Sequence, residues 1–310
     1  MFTAAGSSTG VELIRQFYVP EYTQAVNYNN DLLPLFGEPQ DSGGDTAHRW
    51  KFHRGGNSSI EVYTEGQGQP AAGSQLWASG AVSYLAFRGM LQVTGHARAA
   101  MRSRWVNGLD AEAVLLRDDL VDLITRTYLG SSNNGLEVAV DLTTNYAGLT
   151  RSASSYMASY ENSVSAEISY SNMATTWQTG QAFDYGARFD CILVPWNQYR
   201  RYHAISGQPG MKIFQPGDVG QDLAGLTFAG IPIKPINDMT TTVAIWLDRR
   251  PGKWAHMVHS ATPEGDPAPG GWEVKDMGPS GDSDIIQIAY RGHLVCHDPL
   301  RQAKMTGLTA

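Results

Sequence analysis

The sequence predicts an α+β protein whose strand-forming and helix-forming segments are separated along the chain. Three observations carry this reading. Residues 41–80 hold eight glycines and only Ile60, Val62 and Leu76 among aliphatic β-branched residues and leucines, yet they carry strand-like runs. Residues 109–128 place an apolar stripe at helical spacing. Beyond Gly135, short apolar runs bounded by turn residues mark buried strands.

Near the N-terminus, Leu13, Ile14, Phe17 and Tyr18 fit one short helical face, which Pro20 ends. Leu32-Leu33-Pro34-Leu35-Phe36 then reads as an anchoring patch on an arm; an N-terminal helix packed on its own domain fits the same residues. The glycine-rich stretch cannot bury enough apolar surface to offset its ordering entropy. Arg49-Trp50-Lys51-Phe52, Ser59-Ile60-Glu61-Val62-Tyr63 and Val82-Ser83-Tyr84-Leu85-Ala86-Phe87 nevertheless have strand character. As two extended limbs of about 20 residues they would reach about 60 Å, against a radius of gyration of roughly 20 Å for a compact chain of this length. Strands without a core of their own complete themselves on a neighbour, so the chain reads as a component of an assembly.

Leu109, Ala113, Leu116, Leu120, Leu123, Ile124 and Tyr128 predict one long helix. Asp110 and Glu112 are expected in its first turn and Arg126 in its last, complementing the dipole. Residues 96–105 extend it N-terminally, with Asn107-Gly108 as a break or bend, and Gly130 with Asn133-Asn134-Gly135 closes it. Further on, Asp190–Pro195 is a buried strand leading into a helix that carries Gln198, Tyr199, Tyr202, His203 and Ile205. Thr242–Leu247 and Asp284–Cys296 are two more strands, and the Gly-, Pro- and Asp-rich segment 260–283 is a loop between them.

Composition excludes several classes. The formal net charge is −7 and lysine and arginine form no run, so the electrostatic footprint of a nucleic-acid binder is missing. Cys191 and Cys296 are too few for a disulfide framework. There is no apolar stretch of membrane-spanning length and no signal-peptide pattern, so synthesis in the cytosol is expected. Charged residues reach only 17%, as expected where much of the surface meets other protein.

Candidate chemistry is sparse. Gly6-Ser7-Ser8-Thr9-Gly10 has the spacing of a nucleophile elbow but lacks its strand–turn–helix context. His48 and His53 would point to opposite faces of a strand, and His256 and His259 have no cysteine or carboxylate partners nearby in sequence. Asp118, Asp119 and Asp122 read as the wet face of the long helix. No nucleophile, base and oxyanion donor come together, so neither enzyme activity nor a metal or cofactor is expected.

Taken together, several stretches resemble the major capsid proteins of tailed bacteriophages. They are Tyr146–Ser152 after the long helix; Phe189–Pro195, where the family typically reads P-D-x-I-L; Leu226–Ile233 followed by Trp246-Leu247-Asp248; and the closing segment Tyr290–Leu308. Each motif is weak alone, and their order over residues 140–310 is what makes the match specific. The resemblance implies a fold shared with herpesvirus capsid floors and encapsulins. It divides the chain into an N-terminal arm (1–37), an extended β-hairpin loop (41–94), a peripheral domain with the spine helix (96–164 and 285–310), and an axial domain with a central mixed sheet (165–284).

The resemblance further implies a major capsid subunit, located in the virion and in host cytoplasm before assembly. Copies would form the pentamers and hexamers of an icosahedral shell around double-stranded DNA, without sequence-specific contact to it. The chain lacks a long charged N-terminal extension, so a separate scaffolding protein is expected, along with a portal and a decoration protein as partners. Intersubunit contacts are expected from Arg49, Trp50, Lys51, Phe52, Arg54, Tyr63, Trp77, Tyr84, Phe87 and Arg88. Flexible joints are expected at Gly43, Gly44, Gly55, Gly56, Gly89 and Gly95. Lys51 is the only lysine of the loop, and no feature supplies a cross-linking partner. Two alternatives remain: an encapsulin-type shell around cargo, and a cytosolic α/β hydrolase with residues 41–94 as a lid.

Overall fold

Two apolar cores lie on opposite faces of one six-stranded sheet. The computed structural model describes residues 32–41, 45–55, 57, 59–60, 62, 68, 72–94, 105–182, 187–206, 226–259, 269–280 and 283–309. The expected N-terminal helical face, the 96–104 helix extension, Tyr63, Gly43, Gly44, Gly56 and Gly95 lie outside them, as does the side chain of Arg54.

The strands are β1 (Gln40–Asp41), β2 (Ala47–Gly55), β3 (Leu76–Ser83), β4 (Leu85–Thr94), β5 (Tyr160–Ser163), β6 (Cys191–Pro195), β7 (Thr227–Phe228), β8 (Ile231–Ile236), β9 (Ala244–Leu247), β10 (Trp254–Val258), β11 (Trp272–Ser280), β12 (Ser283–Cys296) and β13 (Ala303–Thr306). The helices are α1 (Trp105–Leu129), α2 (Leu136–Ala139), α3 (Tyr170–Ala182) and α4 (Trp196–Ser206). The α+β class read from the sequence holds.

The six-stranded sheet runs β5-β13-β9-β6-β8-β7 and is mixed, with β6 parallel to β8 and antiparallel to β9. Its central strands are buried on both sides, which is why they read as continuous apolar runs and not as alternating ones. Cys191, Leu193, Ile245 and Leu247 face the first core, while Ile192, Val194, Ala244 and Trp246 face the second. Tyr199 and Tyr202 of α4 and Met173 of α3 complete the second core.

The first core is closed by a five-stranded sheet in which β12 is the hub. Its 14 residues pair antiparallel with β4 on one side and with β11 and then β10 on the other. Two of these strands depart from the sequence reading. The sequence predicts a loop at β11; instead Trp272 and Val274 point into the core, Glu273 between them is buried and ion-paired with Arg291 at 2.9 Å, and the turn-like Gly278-Pro279-Ser280 end follows a bulge. β10, all five residues buried, had no strand assigned to it. Pairing of β10 and β11 with β12 crosses the expected boundary at 284/285, and pairing of β4 ties residues 85–94 to the same sheet.

Helix α1 packs across β4. Ala113, Leu120, Val121, Ile124 and Tyr128 are buried, and Leu116 lies against Gly89, where an added Cβ would come within 2.6 Å of the leucine Cδ1. Gly89 therefore serves a close strand–helix approach inside a paired strand, and the expected joint there is replaced by rigid pairing. Leu123 falls off the stripe and is about half exposed. Among the described residues the helix runs from Trp105 through Asn107-Gly108 without a break, and its first described turn holds no acidic residue. It ends as expected at Gly130 and the left-handed Asn133 and Asn134. At Gly135 a Cβ would meet the Gly130 carbonyl oxygen at 2.3 Å.

Candidate assembly surface

The glycine-rich region forms a two-stranded antiparallel hairpin, β2 with β3, in the register Trp50↔Gly80 and Phe52↔Ala78. Strand periodicity sorts its side chains onto two faces. His48, Trp50 and Phe52 with Ala78, Gly80 and Val82 form the inner face; Arg49, Lys51 and His53 with Trp77, Ser79 and Ala81 form the outer. The opposite orientation expected for His48 and His53 is what the strand gives.

The inner face lies on its own chain. The Trp50 ring sits 6.4 Å from that of Tyr146 and 5.2 Å from that of His297, and Phe52 sits 5.4 Å from Tyr156. Gly80 makes room for the indole, since a Cβ there would be 2.7 Å from its Cζ2. The Ala81 N–H donates to the Ala147 carbonyl at 3.1 Å, pinning β3 to the 146–149 turn. His48 Nε2 and His297 Nε2 are 2.8 Å apart. Burial and the neighbouring His48 push His297 down to about 4, and burial lowers His48 as well. Phe87 is buried between Tyr128 and Tyr290, each at 6.2 Å. Tyr84 is half-buried and edge-on to His259 at 5.9 Å.

These placements revise the expected contact set. Alternation in β2 and β4 turns Trp50, Phe52 and Phe87 toward the chain's own core, where Phe87 is buried and Trp50 and Phe52 are partly buried. Gly55 ends β2 at a bulge, where the register shifts after His53. What stays open is the outer face and the far end of the hairpin. Trp77 is 62% exposed, Leu76 53%, Ile60 78% and Val62 97%. Arg49, Lys51 and Arg88 are exposed too. Leu76, Ile60 and Met90 (54% exposed) were missed as candidates, although apolar residues in a segment that owns no core were signal enough.

Two buried cations elsewhere are held by groups of the same chain. Arg151 donates to the Val138 and Ala139 carbonyls at 2.7 and 2.8 Å, capping the C-terminal end of α2. Lys304 is ion-paired with Asp141 in the interior. Burial alone would raise the Asp141 carboxyl, but that ammonium and the Thr143 and Thr144 N–H groups hold it well below the usual carboxylate range. Among the described residues, no group of three or more His, Cys, Asp or Glu side chains is arranged to hold a metal ion. No helix among them is long and apolar enough to cross a membrane.

Solved structures share this fold over nearly the whole chain. A chain of the cyanophage A-1(L) capsid asymmetric unit superposes with a TM-score of 0.65 at 14% identity, covering 90% of this chain and 93% of its own. The capsid of a native GTA particle gives 0.58 at 9% identity, covering 89% and 90%. The SrpI encapsulin of Synechococcus elongatus gives 0.52 at 11%, covering 87% and 84%. No protein-family model and no curated protein matches the sequence. The fold is therefore that of tailed-phage capsid subunits and encapsulins, as the sequence motifs imply.

Proposed function

We propose that this chain is the major capsid subunit of a tailed-phage-type icosahedral shell and that it is structural and not catalytic. Multiple copies close into pentamers and hexamers around double-stranded DNA, in the virion, after synthesis in host cytoplasm. The observation that carries this reading is the joint one: a capsid fold matched over 90% of the chain, with an apolar hairpin end left uncovered. Exposed tryptophan and leucine beside exposed cations is the composition of an interface centre with a charged rim.

In this reading Trp77 and Leu76, with Ile60, Val62 and Tyr63, bury against the adjacent copy. Arg49, Lys51, Arg54 and Arg88 face its carboxylates; Asp118, Asp119 and Asp122 on the outer side of α1 are suitable acceptors. Such rim pairs set register more than strength, at about 0–1 kcal/mol each. The arm is residues 1–37, the loop 41–94, the peripheral part 96–164 with 285–310, and the axial part 165–284, with β10 and β11 paired to peripheral β12. A separate scaffolding protein, a portal and a decoration protein complete the particle. The net charge of −7 suits a wall past which DNA must slide.

An encapsulin-type cargo shell is the second reading; its structural match is lower, 0.52 against 0.65. Particle mass by light scattering, with a candidate scaffold co-expressed, tests assembly. Megadalton particles are expected, and a stable monomer at all concentrations refutes both shells. Nuclease-protected double-stranded DNA in infected-cell particles, as opposed to a protein cargo, separates the two.

A further inference from the structure

We propose that the His48–His297 pair is a proton-operated latch that holds the β2–β3 hairpin on its own chain, and that protonation of both imidazoles releases it. His48 stands on the inner face of β2, and His297 follows the last residue of β12. Their Nε2 atoms meet at 2.8 Å, so one must donate and the other accept. With one proton on the pair an N–H⁺···N bond still forms, since the neutral imidazole can accept at Nε2; a proton on each ring sets two N–H groups head to head and turns attraction into repulsion.

Trp50 couples the latch to the rest of the arm. Its ring lies against both imidazoles, stacked on His48 at 5.7 Å and edge-on to His297 at 5.2 Å. Parting the two histidines uncovers the indole that seats the hairpin. The surroundings supply no stabilising anion. Asp298, next to His297, is already paired with Lys253 at 2.5 Å and Arg301 at 3.1 Å. From the 146–151 turn come the neutral Tyr146 and the cationic Arg151 over its ring at 5.8 Å. From the hairpin, Arg49 and Lys51 point to the other face, and Val82 lies opposite His48. Buried Cys296 carries a thiol that burial keeps protonated.

The sign follows from linkage. The docked arm disfavours the proton, since its His297 titrates near 4 against 6.5 for a free imidazole. Docking is therefore at full strength above pH 6.5 and weakens as pH falls from 6.5 towards 4. For His297 alone, between pH 7 and pH 4.5, that difference corresponds to about a 60-fold loss in the docking equilibrium. The latch is a contact within one chain, and its truth is separate from that of the shell reading.

Hydrogen exchange of the full-length protein tests it, with amide rates corrected for intrinsic chemistry. Amides of 47–52 and 78–83 are expected to open roughly 60-fold more often at pH 4.5 than at pH 7, while β6 and β9 stay protected. In His297→Gln, whose side-chain oxygen accepts from His48 but does not titrate, the hairpin response should shrink, because His48 is then the one imidazole left in the pair. Unchanged protection in the wild type, or an undiminished response in H297Q, overturns the proposal. NMR titration of the wild type is the independent check if the variant does not fold: His297 titrating near 6.5 in the docked chain overturns it as well.

Discussion

Replacing Trp77 with serine separates folding from assembly at a single side chain. The indole is 62% exposed, and its ring meets that of His53 at 5.4 Å. A tryptophan side chain offers roughly 250 Å², so about 150 Å² awaits cover. At ~25 cal/mol per Å², complete burial against a second copy contributes about 3–4 kcal/mol per contact. Losing it weakens each contact by two to three orders of magnitude, since ~1.4 kcal/mol is tenfold. The isolated subunit should barely notice, because surface substitutions stay within about 0.5 kcal/mol. Light scattering of Trp77→Ser should show a critical assembly concentration raised well beyond that of the wild type, with an unchanged melting temperature. Wild-type assembly by W77S refutes the placement of this side chain in an interface. A large drop in melting temperature refutes the claim that the far end of the hairpin is uncovered in the single chain.

Other outcomes follow from the interior. Gly80→Ala drives a methyl into the Trp50 indole and should lift the hairpin, at about 1–3 kcal/mol, visible as a changed near-UV CD spectrum and lower Tm. Asp141→Asn strands the buried Lys304 ammonium and should lower stability in urea by about 3 kcal/mol. The wild-type contribution of this pair is present above the ordinary carboxylate range and is lost as pH falls below about 4, so D141N and wild type should converge in acid. Cys191 and Cys296 are fully buried, and burial raises the Cys191 thiol to about 11, so native protein should resist thiol reagents until unfolded. Deleting residues 41–94 would remove β4 with its buried Phe87 and unfold the five-stranded sheet, whereas deleting 57–74 should spare it; proteolysis resistance distinguishes the two.

Much of the fold was legible because the strongest signals are local. Continuous apolar runs gave β6 and β9, alternation gave β12, and 3.6-residue spacing gave α1. The failures have a common cause: information held by a partner strand. Pairing with β12 makes β11 a strand despite its glycine and proline, and Leu116 explains Gly89 better than any local flexibility does. In the hairpin, alternation told that Trp50 and Phe52 share a face, but not that Tyr146, Tyr156 and His297 wait beneath it. Contacts across more than 90 residues of sequence leave no periodicity to read.

The six-stranded sheet has one further implication. Adjacent residues of β6 and β9 belong to different cores, so neither half can loosen without exposing the back of the other. Melting should be all-or-none, and the subunit should transmit load like a single plate. Any curvature a container needs must then be accommodated at seams between copies, or by the hairpin lifting from its bed, and not by bending within the chain.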